Sequence, residues 1–240
     1  NMPDSRALVL ISQVLNSSTQ QELFNTMEKA ARALGFDNVL YGIRVEVPVG
    51  EPLQHIASGY PDAYQRVYLE RQFIARDPTV FHALTKPQLL VWNDGIYSAN
   101  SHDIMEESRK YGLAHGLSAP VHEGPSIRGM LSLARDKPFE HSKEREQLEA
   151  GANVLANAIH VATTRIILPE VIAEQRPTLS ERELECLRWV AQGKSNFAIG
   201  RLMSISEGTV KFHMGNVLVK LGVATRQQAI TRGMLLGLIT

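Results

Sequence analysis

Ser195-Asn196-Phe197-Ala198-Ile199-Gly200-Arg201-Leu202-Met203-Ser204-Ile205-Ser206-Glu207-Gly208-Thr209-Val210-Lys211-Phe212-His213 decides the fold of the last third of this 240-residue chain. Ser195 reads as the cap of a short helix, Asn196–Met203. Ser204-Ile205 makes a tight turn, and Ser206 caps a longer helix that runs to Leu221 and stops at Gly222. Short helix, tight turn, longer helix is helix-turn-helix geometry. Upstream, Ser180 with Glu183 forms a capping box for a helix over 181–192, closed by Gly193. Downstream, Thr225 with Gln228 caps a fourth helix over 226–236. The expected unit is an all-α four-helix helix-turn-helix domain over 178–240.

In that geometry the longer helix enters the major groove with its N-terminal half at the base edges. Its polar set includes Thr209, Lys211, His213, Asn216 and Lys220. Lys211 can approach a base edge, while Thr209, Lys194, Ser195, Asn196 and Arg226 are placed for phosphates, helped by helix N-terminal amides. With Phe212, these are the candidate DNA-contacting residues. Charge agrees with the assignment. The chain as a whole is neutral, but residues 174–240 hold nine Lys and Arg against five Glu, a net +4 that leaves −4 for the rest.

The preceding segment reads differently. Leu8, Ile11, Leu15, Leu23, Met27, Ala30, Ala31 and Leu34 recur at helical spacing over 5–34, with Thr19 and Glu22 marking a helix start. Strands are expected over 38–47, 53–59, 89–92, 117–122 and 127–135. Helices are expected over about 62–76, 79–84, 101–111 and 141–167, with Pro169 ending the last. Strands that come mostly in hairpins imply an antiparallel sheet with helices on both faces. The fold class is therefore α+β: an α/β/α sandwich over 2–169, a linker over 170–177, and the helical domain.

Several classes of function find no support. No phosphate-cradling glycine motif and no G-x-S-x-G occurs. The histidines lack H-x-x-x-H spacing, and His141 with Glu144 reads as a solvated capping turn, so neither a metal nor a catalytic group is expected. The one cysteine, Cys186, lies on an apolar helix face and reads as core. No leader pattern and no long apolar span is seen, so a cytoplasmic protein without a membrane partner is expected.

Residues 178–239 resemble the LuxR-type helix-turn-helix domain. The resemblance rests on Leu179-Ser180-Glu181-Arg182-Glu183, Leu187, Gly193-Lys194, Ile199-Gly200, Ile205-Ser206-Glu207, Thr209 to His213, Asn216, Lys220-Leu221 and Gly237-Leu238-Ile239. Gly208 and Gly215 depart from it, and Gly215 stands where the family often carries a base-reading side chain. Tyr60-Pro61, Tyr64, Tyr68, Asp77-Pro78, Trp92, Gly116 and Leu131-Ser132-Leu133-Ala134-Arg135 resemble the acyl-homoserine-lactone-binding domain of quorum-sensing LuxR-type receptors.

The resemblance implies a site. Asp77 accepts the amide N–H, Tyr60 and Ser132 donate to the acyl carbonyl, and Tyr64 donates to the lactone carbonyl. Tyr68 and Trp92 wall the head group with Thr79 nearby, and Leu40, Ile56, Phe73, Met105 and Leu113 line the acyl tail. Tyr64 replaces the family's usual tryptophan, and Phe73 a common tyrosine. The implied function is a signal-responsive regulator, with the lactone as signal and no cofactor. Its partners would be a pseudo-palindromic operator, a second copy of the chain and RNA polymerase. Two alternatives stay open: a solo regulator that answers a non-lactone apolar signal, and one that binds DNA without ligand. An enzyme that turns the ligand over is a further reading, without a nucleophile motif to carry it.

Overall fold

The computed structural model describes residues 5–48 and 50–240. The chain divides into two compact units: the first runs to Leu168 without Glu46–Leu53, and the second comprises Pro169–Thr240 and Glu46–Leu53. The first begins with α1 (Ser5–Asn16) and α2 (Gln20–Ala33). Thr19 caps α2 by accepting the Glu22 amide, as its spacing predicts. Then come β1 (Asn38–Val45), β2 (Leu53–Ser58), α3 (Asp62–Glu70), α4 (Pro78–Thr85), β3 (Leu90–Val91), α5 (His102–Arg109), β4 (His115–Glu123), β5 (Ile127–Arg135) and α6 (Ser142–Ile166). The helix expected to run on from α3 towards Arg76 breaks instead. Gln72 turns left-handed at φ 51°, and Phe73–Ala75 forms a single 3-10 turn.

The five strands form one sheet in the order β2-β1-β5-β4-β3, with β1–β5, β5–β4 and β4–β3 antiparallel. Register sorts the side chains by parity. Val39, Tyr41, Ile43 and Val45 share one face with Leu131, Leu133, Leu117 and Ala119, all buried. That face takes α6, since Tyr41 Oη meets His160 Nδ1 at 2.7 Å. The other face carries Leu40, Ser132, Ser118 and Leu90 in one row. Here His122 reaches the Ala83 carbonyl of α4 at 2.7 Å. The result is the expected three-layer α/β/α arrangement.

In the second unit, α7 (Leu168–Glu174) precedes α8 (Glu181–Ala191), α9 (Asn196–Met203), α10 (Glu207–Leu221) and α11 (Arg226–Leu235). Both capping boxes form, at Ser180–Glu183 and at Thr225–Gln228. Leu187, Val190, Ile199, Met203, Val210, Met214, Val217, Leu221 and Ala229 make the core, with Cys186 among them. Burial raises the Cys186 thiol pKa, and its sulfur lies 3.6 Å from that of Met203, as a core residue would. The linker expected over 170–177 is shorter than its composition suggests. Residues up to Glu174 are helical, Ile172 packs on this core, and Arg176 donates to the Leu236 carbonyl. No single helix among the described residues is long and apolar enough to cross a membrane.

Candidate ligand site and nucleic-acid interface

Pro61 opens α3, and its helical spacing sets Tyr64 and Tyr68 one turn apart. Their rings lie 5.9 Å apart; Tyr60 lies 6.2 Å and Tyr111 5.7 Å from Tyr64. Leu113, Ala134 and Trp92 complete this cluster. Trp92 sits over Gly116, where an added Cβ would come 2.6 Å from both its ring and the Leu133 carbonyl. Only glycine lets the indole lie that close to the sheet.

The polar groups converge on the same cluster. Asp77 caps α4: its Oδ1 accepts from the Thr79 amide at 2.8 Å and hydroxyl at 2.7 Å, and its Oδ2 from Tyr68 Oη at 2.8 Å. Trp92 Nε1 donates to Ser118 Oγ, which is 2.9 Å from Ser132 Oγ. Tyr60 Oη is buried and meets no partner in full hydrogen-bond geometry among the described residues, with the Ser132 hydroxyl close enough to lower its pKa. Burial, followed by the nearby Tyr64 and Asp77, raises the Tyr60 pKa; burial and Asp77 also raise that of Tyr64. Both phenols therefore stay protonated and remain donors.

Most of the expected ligand residues thus come together. Tyr60, Tyr64, Tyr68, Trp92 and Leu113 form the cluster, and Asp77, Thr79 and Ser132 supply its polar rim. Phe73 joins through the Tyr68 ring at 5.6 Å, and Leu40 stands opposite Ser132 on the sheet. Two residues lie outside the cluster. Met105 is buried on α5, and Ile56 on β2 is 51% exposed beside Gly42. Sequence reading missed Ser118, Tyr111 and Tyr97. Ser118 joins only through strand register, and Tyr97 is recognised through its electrostatic coupling to Tyr60 and Tyr64.

In the second unit Ser195 and Ser206 cap α9 and α10. Gly200 brings α9 against the turn, since a Cβ there would stand 2.8 Å from the Ile205 carbonyl. Lys211 and Phe212 project from α10 into solvent, with His213 and Asn216 half-buried beside them. Lys211 meets Glu207 at 3.4 Å with both side chains exposed, a pair that costs little to break. Thr209 is held by the Ser206 hydroxyl at 2.8 Å. Around Gly215 an added Cβ would meet nothing within 4 Å, so packing within the unit does not require glycine there.

Three more of the expected DNA contacts, Arg226, Asn196 and Lys220, are engaged within the unit. Arg226 donates to Asn196 Oδ1 at 2.5 Å and to the Lys194 carbonyl at 3.1 Å, joining α11 to the start of α9. Lys220 Nζ lies 2.7 Å from Glu183 Oε2. A buried carboxylate needs that partner, so Lys220 has a structural role in the fold. Burial pushes the Glu183 carboxyl up, but Lys220 and the Ser180 amide outweigh it and hold the group below the ordinary 4.5. A depressed carboxyl stabilises above its unfolded pKa, and this contribution is lost as pH falls through the folded value. Urea unfolding of the chain, followed at Trp189, is expected to show this loss below about pH 4.5. Glu183→Gln keeps the capping box and should flatten that pH dependence; an equally steep acid loss in the variant would refute the assignment.

Glu140, His141 and Glu144 bring ligand atoms within 4.8 Å of one another. The Glu144 carboxylate, however, is taken by Arg135 at 2.7 Å and the Glu140 amide at 2.6 Å.

A sandwich unit with a cluster of packed tyrosines around Tyr64, joined to a helix-turn-helix unit, defines a ligand-responsive transcription regulator. The chain belongs to the LuxR family of bacterial regulatory proteins: residues 177–232 match that family's DNA-binding domain, and residues 19–163 match the autoinducer binding domain. It is 34% identical to the transcriptional activator protein SolR of Ralstonia nicotianae, over 92% of this chain and 93% of that one. It is 32% identical to the quorum-sensing regulator RhlR of Pseudomonas aeruginosa, over 91% and 90%. The crystal structure of Escherichia coli SdiA superposes with a TM-score of 0.70 at 27% identity, covering 98% of both chains. A structure of SdiA in complex with octanoyl-rac-glycerol gives 0.69 at 26% identity, over 98% and 97%.

Proposed function

We propose that the first unit binds an acyl-homoserine lactone at the Tyr60–Tyr64–Asp77–Ser132 cluster, and that the second unit binds a pseudo-palindromic operator as a homodimer. The observation that carries the ligand reading is the buried Tyr60 hydroxyl, which has only the loosely placed Ser132 hydroxyl beside it. Such a donor costs about 1–3 kcal/mol until an acceptor arrives, and an acyl carbonyl is that acceptor. Asp77 supports the complementary half. A carboxylate offers about four acceptor sites; Thr79 and Tyr68 take three, leaving one for the ligand's amide N–H. Tyr64 donates to the lactone carbonyl, and Tyr68 and Trp92 enclose the ring. Two-fold pairing of the second unit matches operator symmetry. RNA polymerase is the partner through which the bound regulator acts, and the cytoplasm its place of work.

Tyr60→Phe separates this reading from a purely structural role. It should weaken N-octanoyl-homoserine lactone about 5- to 150-fold by calorimetry, the equivalent of about 1–3 kcal/mol. The ligand-free thermal midpoint should hold, because the hydroxyl has no well-formed hydrogen bond to lose. Unchanged lactone affinity would sink the proposal. SdiA, a structural relative, is seen with octanoyl-rac-glycerol. A second reading, favoured by the phenol at Tyr64, is therefore an acyl compound whose head group is not a lactone. Preference for octanoylglycerol over the lactone in the same titration would select it.

A further inference from the structure

Leu23, Met27, Tyr41, Ile159 and Ile167 wall a cavity of about 170 Å³ between α2, α6 and the β1–β2 edge of the sheet. It is separate from the aromatic cluster. Tyr41 faces α6, whereas Leu40 and Ser132 face the opposite side, so the thickness of the sheet divides the two sites. The Tyr41 hydroxyl is already bound to His160, whose Nε2 meets Glu123 at 2.9 Å. Tyr41 therefore brings no free donor to the cavity. Thr163 differs. It lines the same space and is 1% exposed, yet its hydroxyl makes no hydrogen bond among the described residues. Its neighbour Thr164 bonds back to the His160 carbonyl at 3.0 Å in the usual helical way. At the mouth, Gln20 Nε2 and His55 Nε2 face each other across 3.4 Å.

A space of this size whose inner walls are mostly apolar holds one aromatic ring; engineered cavities of about 150 Å³ lined by Leu, Ile and Phe take up benzene. The Thr163 hydroxyl opens onto this space and can pair with one polar atom on that ring. We propose that this cavity is a second small-molecule site, for a single-ring apolar compound bearing one hydroxyl or comparable group. Its occupant would touch α2 and α6, leaving the Tyr60–Asp77 cluster free for the acyl signal.

The test is a titration of the full chain with phenol and, separately, benzene, followed by methyl NMR at Met27, Ile159 and Thr163. Saturable shifts at these three methyl groups are expected with both probes. Thr163→Val should weaken phenol at least about fivefold and leave benzene unchanged. Ala57→Leu, which fills the cavity wall, should abolish both. Binding should persist with saturating N-octanoyl-homoserine lactone and in Tyr60→Phe. No saturable shift, equal phenol affinity in Thr163→Val, or competition by the lactone would each overturn the proposal.

Discussion

Replacing Asp77 by alanine is expected to abolish lactone binding and to destabilise the first unit by about 2–4 kcal/mol. The side chain does two jobs. It caps α4, a role worth about 1 kcal/mol, and it satisfies the Thr79 and Tyr68 hydroxyls. Alanine leaves both hydroxyls without their acceptor and removes the lone pair proposed for the ligand amide. Asp77→Asn separates the two jobs. Its carbonyl can keep the Thr79 contacts, so folding should stay near normal. Its amide nitrogen then stands where the ligand N–H must donate, so lactone affinity should still fall more than tenfold, about 1.4 kcal/mol. Thermal unfolding and calorimetry on both variants check this. A well-folded Asp77→Asn protein with full lactone affinity would remove Asp77 from the ligand site.

The second large effect distinguishes two lysines on one helix. Lys211→Ala should weaken operator binding by about 1–3 kcal/mol if it reads a base edge, with the fold unchanged because the side chain is solvent-exposed. Lys220→Met should do the opposite. It strands the buried Glu183 carboxylate, costing about 1.5–3 kcal/mol of stability, while operator affinity of the folded fraction holds and the salt slope stays the same. Were Lys220 a phosphate contact, its loss would reduce that slope by about 0.9. Fluorescence anisotropy with operator DNA across a salt series, paired with urea unfolding, resolves the two. A lower salt slope in Lys220→Met would reverse the assignment.

What the sequence by itself determined is local. The capping boxes at Ser180–Glu183 and Thr225–Gln228, the Thr19 cap and the α9–turn–α10 unit are signals that act across three or four residues, and each appears where its spacing places it. The strands were equally legible as segments, β1 within the expected 38–47. The family resemblance brought the phenols, Asp77 and Ser132 into one expected site.

What only the tertiary structure decided is which distant groups meet. Ser118 reaches Ser132 through β4–β5 register, and Tyr111 comes against Tyr64 only once α5 has packed. Lys220 finds Glu183 across 37 positions, and Arg226 finds Asn196 across 30. In isolation each of these side chains reads as a solvated polar residue. A buried carboxylate or an unpaired helix end captures a cation wherever packing delivers one, and that delivery depends on the whole fold. For the same reason residues 170–174 read as linker and fold as helix: Ile172 has a core to pack on.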